Sequence, residues 1–293
     1  MEEPMGEILI SIIMGTHNPR PAHLAAAVES IRAQSCSAWE LLLFDDGSAP
    51  ALHRELRKLT AEDPRIRLVP GWCPGKARGL GFALNTCLRY ACGRYIARMD
   101  DDDWAFPRRL EMQAQYLETH PSCGWVGTQA ELFDASGVWG LARRPLYPGP
   151  EDFLHSSPFI HPSVMFRREV LEECGGYAEG TLTARCEDLE LFMRLYAAGH
   201  RGDNLPEVLL RYREDAASLH RSLRYSFYET VIRLRGYRRL HMLSWRTLPF
   251  AGKPLCVGLA AQIPGFPRIL QRMRTNRKNQ KGSCGDYAIA AKH

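Results

Sequence analysis

None of the nine cysteines in this 293-residue chain stands at C-x-x-C spacing from another. Their number is odd, and several fall inside apolar helix or strand patterns. That usage gives no disulfide framework and no zinc site, and free thiols in a reducing compartment are expected. Long apolar runs are also missing: none reaches the roughly 18–20 residues that a membrane span needs. The opening, MEEPMGEILISIIM, places acids before a short apolar run and lacks the basic start of a signal peptide. It reads as the approach to a first strand. There is no internal repeat and no low-complexity tract. Acid is almost absent from one region: between Arg221 and Lys281, fourteen lysines and arginines face only Glu229. The whole chain carries only +5, so the remainder is net acidic. An acidic body with a basic tail points to an anionic partner for the tail.

What is present alternates. Ile8 to Met14 is a continuous apolar run, as in a strand buried on both faces. Helical spacing follows from Pro21 to Gln34, a strand from Trp39 to Phe44, a helix from Leu52 to Leu59 and a short strand from Ile66 to Val69. A Gly-rich loop, Gly71 to Gly81, precedes a helix over Phe82–Cys92 and a strand at Tyr95. This order predicts an α/β fold, a mainly parallel sheet flanked by helices. Beyond it, a helix is expected from Pro107. A strand over Cys123–Phe133 turns into a hairpin partner, Val138–Ala142. Arg143–Pro158 reads as irregular and flexible. Pro162–Phe166 reads as a strand, Arg167–Cys174 and Glu187–Ala198 as helices, and Glu207–Tyr212 as a last strand. The Gly-Pro stretch Pro249–Pro267 is expected to break the helical tail. The domain expectation is 1–215 for the sheet domain and 216–293 for a basic helical C-terminal extension.

The chemistry centres on YIARMDDDDW, Tyr95 to Trp104. Four aspartates in a row repel one another, and at a strand end they are costly without a cation among them. Such hard oxygen ligands suit Mn²⁺ or Mg²⁺, held together with substrate phosphates. A solvated acidic turn is the other reading; placement at the carboxyl end of a strand, where α/β sheets bind ligands, favours the cation. Thr16 with Asn18, Asp45 with Asp46, and Lys76 with Arg78 fall where such a sheet would bring them to the same end. Lys76 and Arg78 read either as contacts to a diphosphate or base, or as solvated loop charges. Trp104 reads as a sugar-stacking or a packing residue. His161 reads as an acceptor-site residue or a structural hydrogen-bonder.

The ordered stretches ISIIMGTHN, ELLLFDDGS, GLGFALN, YIARMDDDDW with PRRLEMQ, HPSVMFRREVL, GGY and CEDLELFMRL resemble those of inverting family 2 glycosyltransferases. The resemblance runs from about Ile8 to Arg213. It implies the GT-A fold, a Rossmann-like nucleotide-sugar-binding domain. It implies that Gly15, Thr16, Asn18 and Asp46 hold the nucleotide, and a uracil N3–H would suit an aspartate acceptor. Aligning the strand with PRRLE makes Asp100 and Asp102 the DxD pair, with Asp102 on the metal and Asp100 and Asp101 toward the donor; a shift by one gives Asp101 and Asp103. It makes Asp188 the general base, beside Glu187 at the acceptor, although both could be ordinary N-terminal helix acids.

The expected activity is metal-dependent transfer of a sugar from a nucleotide-diphosphate sugar, a UDP-sugar foremost, to a hydroxyl of a glycan acceptor on a lipid carrier, in surface polysaccharide synthesis. The basic tail, carrying Trp245, Leu248, Phe250 and Phe266, is expected to lie on anionic lipid at the inner face of the cell membrane and not on nucleic acid. A nucleotidyltransferase acting on sugar phosphates and a non-catalytic nucleotide-binding assembly subunit are the rival readings.

Overall fold

The computed structural model describes residues 9–214 and 222–262. The N-terminal acids, Arg221, Phe266 and the basic residues from Arg268 onward lie outside them. The first half is the expected alternation: β1 (Ile10–Thr16), α1 (Pro21–Arg32), β2 (Trp39–Asp45), α2 (Pro50–Ala61), β3 (Ile66–Leu68), α3 (Leu80–Tyr90) and β4 (Tyr95–Arg98). After it come β5 (Trp104–Ala105), α4 (Arg109–Thr119), β6 (Trp125–Asp134), β7 (Gly137–Ala142), β8 (Met165–Arg167), α5 (Arg168–Glu173), α6 (Glu187–Ala197) and β9 (Gly202–Arg213). Helices α7 (Leu223–Arg239) and α8 (Leu248–Ala260) close the described chain.

One mixed sheet runs β3-β2-β1-β4-β8-β6-β9-β5, with β7 on β6. β1 is parallel to both β2 and β4, and β2 to β3, whereas β8 is antiparallel to β4. The strand order reverses between β1 and β4. That switch point opens a crevice beyond the carboxyl ends of both strands. Successive side chains on a strand face opposite ways. Ile10, Ile12 and Met14 therefore pack under α1 and α4, while Ile13 joins the core beneath α3 and α6. That second core is aromatic: Trp125 lies 5.5 Å from Phe159 and from Tyr196, and 5.8 Å from Phe192.

Several expectations are corrected. β5 interrupts the turn after the aspartates, and α4 begins at Arg109, after Pro107. His161–Ser163 is a 3₁₀ turn, leaving only three residues for β8. β9 starts at Gly202, and its register against β6 slips between Gly127 and Gln129, opposite Pro206. Proline has no N–H to give a ladder, so the slip is where it can sit. The segment after β7 is pinned rather than loose. Asn204 donates from its main chain to Leu146 O at 2.8 Å and from Nδ2 to Pro145 O at 2.7 Å, and Tyr196 Oη donates to Pro148 O at 2.7 Å. α8 runs into the Gly-Pro stretch as far as Ala260 with Pro254 inside it, and the end of that stretch lies outside the described residues.

α7 and α8 dock on the sheet domain: Ile232, Tyr237 and Ala251 belong to the aromatic core. Arg233 turns inward, with Nη1 donating to Phe153 O at 3.1 Å and Nη2 paired to Glu229 at 2.9 Å. Arg239 reaches Glu190 on α6 at 2.9 Å.

Close packing gives one stability prediction. A Cβ on Gly202 would lie 2.1 Å from Nε1 and Cε2 of Trp125, a rigid buried ring. Gly202→Ala is expected to destabilise by about 2–3 kcal/mol, in the range for overpacked cores, read as a shifted urea midpoint at unchanged slope.

Candidate active site

The crevice is assembled from four loops. The end of β1 lies against α3 so closely that a Cβ on Gly15 would stand 2.8 Å from Ala83 Cβ. Asp46 N donates to Thr16 O at 2.8 Å, which joins the β1 and β2 ends. The Asp46 carboxylate accepts from Arg78 N at 2.8 and 2.9 Å and from Gly79 N at 2.7 Å, so it shapes the Gly-rich loop. Gly47 permits this approach: it has φ +85°, and a Cβ there would meet the Lys76 main chain at 2.9 Å. Asn18, at φ 48°, accepts from Ala49 N through Oδ1 at 3.0 Å and donates its own N–H to Ser48 Oγ at 2.8 Å. The Arg78 guanidinium covers the Phe82 ring at 3.9 Å and donates to Gly71 O at 2.7 Å, whereas Lys76 is exposed. Asn18, Asp46 and Arg78 thus knit the rim together.

The aspartates divide their duties. Asp100 Oδ1 pairs with Arg98 Nη1 at 2.6 Å. Asp101 Oδ2 accepts from Thr16 Oγ1, bridging β4 to β1 across the switch point. Asp102 is half-buried; burial, then the charges of Asp100 and Asp101, push its carboxyl up to about 7. Asp103 is fully buried, and Oδ1 accepts from Arg213 N at 2.8 Å. Burial holds it well above the usual carboxylate range, and Oδ2 has no hydrogen-bond partner among the described residues. Arg109 lies beneath, lowered to about 9 by burial, and donates to Arg98 O at 2.6 Å. His17, Asn18, Pro19 and His23 face Asp101 and Asp102 across a shallow cleft.

A divalent cation fits this donor set. Among the described residues no three histidine, cysteine or acidic side chains converge as a ready-made cage. Mg²⁺ and Mn²⁺ are commonly held by one or two carboxylates, with the remaining positions filled by substrate phosphates and water. Carboxylates pushed toward protonation by one another are the groups a cation would relieve.

Asp188 is the second residue of α6. Burial raises its carboxyl, while the main-chain N–H groups of Leu189 and Asp188 and the charge of Arg98 pull the other way. Glu187 is raised as well, first by burial. The residue before the helix cap, Arg185, has φ +66°, so the chain enters α6 through a left-handed turn. Arg98 lies between the two acidic groups: it is 1% exposed, ion-paired to Asp100, and within electrostatic reach of Asp188. His161 Nε2 meets Tyr177 Oη at 2.9 Å, and burial, then Arg98, hold its imidazole well below its ordinary range. The His161 imidazole is therefore held neutral beside Tyr177. Trp104 packs edge-on to Phe106 at 5.0 Å, under Arg211 at 5.3 Å.

Sequence reasoning missed Arg98, His17 and the pair His53–Trp72. His53 Nδ1 meets the buried Asp45 Oδ2 at 2.7 Å, and its ring stacks on Trp72 at 4.0 Å. Trp72 Nε1 donates to Ser48 O at 3.0 Å, which completes the rim. Only Arg98 had a signal: a charged residue inside an otherwise buried strand.

The sequence profile of Glycosyl transferase family 2 matches residues 11–175, more than half the chain. EpsE of Bacillus subtilis is 38% identical over 235 residues, 80% of this chain and 83% of that protein. The O-antigen biosynthesis glycosyltransferase WbnJ of Escherichia coli is 30% identical over 247 residues, 82% and 91% of the two chains. Staphylococcus aureus TarS, solved with UDP-GlcNAc, superposes with a TM-score of 0.64 at 15% identity, covering 86% of this chain and 72% of that one, and shows the same GT-A fold. The chain belongs to glycosyl transferase family 2.

Proposed function

We propose that this chain transfers a sugar from a UDP-sugar to a hydroxyl of a lipid-linked glycan acceptor, with inversion and with the help of a divalent cation. The observation that carries the reading is the meeting of Asp100–Asp102 and Asp188 around one buried guanidinium at the β1/β4 switch point. The nucleotide takes the rim of Gly15, Thr16, Asn18 and Asp46, with Lys76 and Arg78 at the diphosphate. Asp46 keeps an unused lone pair on Oδ1 for a base N–H. Asp102, with Asp100 and Asp101 beside it, would hold the cation, whose positive charge would offset the negative charge of the leaving diphosphate. Asp188 takes the acceptor proton; the new bond from the acceptor oxygen to the anomeric carbon forms as the bond to the β-phosphate oxygen breaks, and that oxygen leaves with the electron pair. A single base facing the leaving group gives inversion. Glu187, His161 and Trp104 border the acceptor side.

The setting is surface-polysaccharide synthesis, a reading supported by the relative WbnJ, which is named for O-antigen biosynthesis. Residues 1–215 form the catalytic domain. The extension 216–293 meets anionic lipid at the inner face of the membrane. Phe227, Trp245, Leu248 and Leu259 are exposed there beside Arg224, Arg246 and Lys253. No described helix is long and apolar enough to cross a membrane.

A thermal-shift panel of UDP, GDP and CDP with Mn²⁺ or chelator tests the donor site. At a hundredfold excess over Kd, a ligand of the folded state adds about 2.7 kcal/mol, roughly 5 °C in Tm for a chain of this size. The expected shift follows UDP, requires Mn²⁺, and loses its Mn²⁺-dependent part in Asp102→Asn. A shift with GDP alone changes the donor; no shift with any nucleotide removes the donor site.

A further inference from the structure

The pinned segment after β7 carries an arginine that the reading above does not use. Arg144 N donates to Gln129 Oε1 at 2.6 Å, and Arg144 O accepts from Gln129 Nε2 at 3.2 Å. That amide, 2% exposed, also donates to Leu205 O at 2.9 Å, so it cannot turn away. Asn204 fixes the next two residues. The direction in which the Arg144 side chain leaves the backbone is therefore set before any ligand arrives. Its guanidinium is partly desolvated, which lowers its basicity, and lies within electrostatic reach of Asp188 and of the Tyr212 phenol. Nη1 donates to Arg143 O at 3.2 Å. Nε is buried without a hydrogen-bond partner among the described residues.

A buried charged donor with no acceptor is unfavourable, and native proteins rarely keep one without a use. The planar fork of a guanidinium matches an anion with two oxygens, a phosphate or a carboxylate. Arg144 stands on the side of Asp188, the base that receives the acceptor hydroxyl. A sugar attached to a carrier through diphosphate bears its charge one pyranose ring away from its ring hydroxyls.

We propose that Arg144 is an acceptor-recognition residue that binds the diphosphate joining the acceptor sugar to its carrier, and so sets which hydroxyl reaches Asp188. This rests on the proposed transfer and adds the acceptor's anionic group to it. The exposed neighbour Arg143 extends the positive charge at this edge.

The test uses the full chain with UDP and Mn²⁺ saturating the donor site. Binding of four citronellyl probes is measured by titration calorimetry: the diphosphate, the N-acetylglucosaminyl diphosphate, the uncharged N-acetylglucosaminide and the glucuronide. Wild type is expected to bind the diphosphates at least tenfold more tightly than the uncharged glycoside. Arg144→Met should bring the three within about twofold, and Arg144→Lys should recover part of the preference, with the Kd for UDP in both variants within twofold of wild type. A preference that survives in Arg144→Met, or is missing in wild type, overturns the assignment. Tighter binding of the glucuronide than of the diphosphates overturns the carrier diphosphate in favour of a uronate acceptor. Failure of UDP itself to bind the wild type is a different result: it removes the proposed function, not only the role of Arg144.

Discussion

Asp188→Asn is expected to lower kcat for sugar transfer by about 10²–10⁴, the range for loss of a positioned general base, while UDP affinity with Mn²⁺ stays close to wild type. Asparagine keeps the shape and can still accept from the N–H of Leu189, but it cannot take a proton. The pH profile should carry the same signature. Burial raises the Asp188 carboxyl, so the acid limb of kcat/KM lies above the usual carboxylate range. As pH falls through that raised value the base is protonated and the rate drops; above it the carboxylate is free and the rate is flat. In Asp188→Asn this limb should vanish from the residual rate. Glu187→Gln is the control, because Glu187 is also buried and also raised. A loss that follows Glu187 moves the base by one residue. Full transfer by Asp188→Asn with the true acceptor would sink the base assignment altogether.

The parts of this site that the sequence discloses are those made locally. Continuous apolar runs specify β1 and β2, and the acid or small polar residues that end them fall at the crevice by topology alone. Elements defined by distant pairing are not disclosed. β5 is two residues long and exists because Trp104 and Ala105 pair with Arg211 and Leu210. Asp103 reads like its three neighbours until Arg213, 110 positions later, supplies its hydrogen bond and draws it inward. The basic tail misleads in a similar way: counting charge places every arginine on the surface, yet Arg233 is buried because Glu229 lies one helical turn away and two main-chain oxygens of the Phe153–Leu154 turn await it. His53 and Trp72 meet only because Asp45 and Ser48 bring α2 and the Gly-rich loop together.

Arg98→Met should be the most damaging single change to the folded state at the crevice. The guanidinium is 1% exposed and is the positive charge set among Asp100, Asp103 and Asp188. Removing one partner of a fully buried ion pair costs about 3–5 kcal/mol. Asp100 retains some contact with water, at 29% side-chain exposure, so a loss of roughly 2–3 kcal/mol is expected once that screening is allowed for. The loss should depend on pH, and its sign follows from the carboxylates. Without Arg98 the folded pKa values of Asp103 and Asp188 rise further above the unfolded ones. Protonation then relieves the repulsion, so the stability present at low pH is lost as pH rises through those raised values. Wild type already places Asp102 at about 7. The difference between variant and wild type should therefore be small at pH 5 and large at pH 8, as read from urea midpoints at the two values. Mn²⁺ with UDP should restore more stability to Arg98→Met than to wild type, because a cation among the aspartates supplies the charge that was removed. An equal loss at both pH values, with no extra rescue by Mn²⁺, would reduce Arg98 to a packing residue and detach it from both halves of the site.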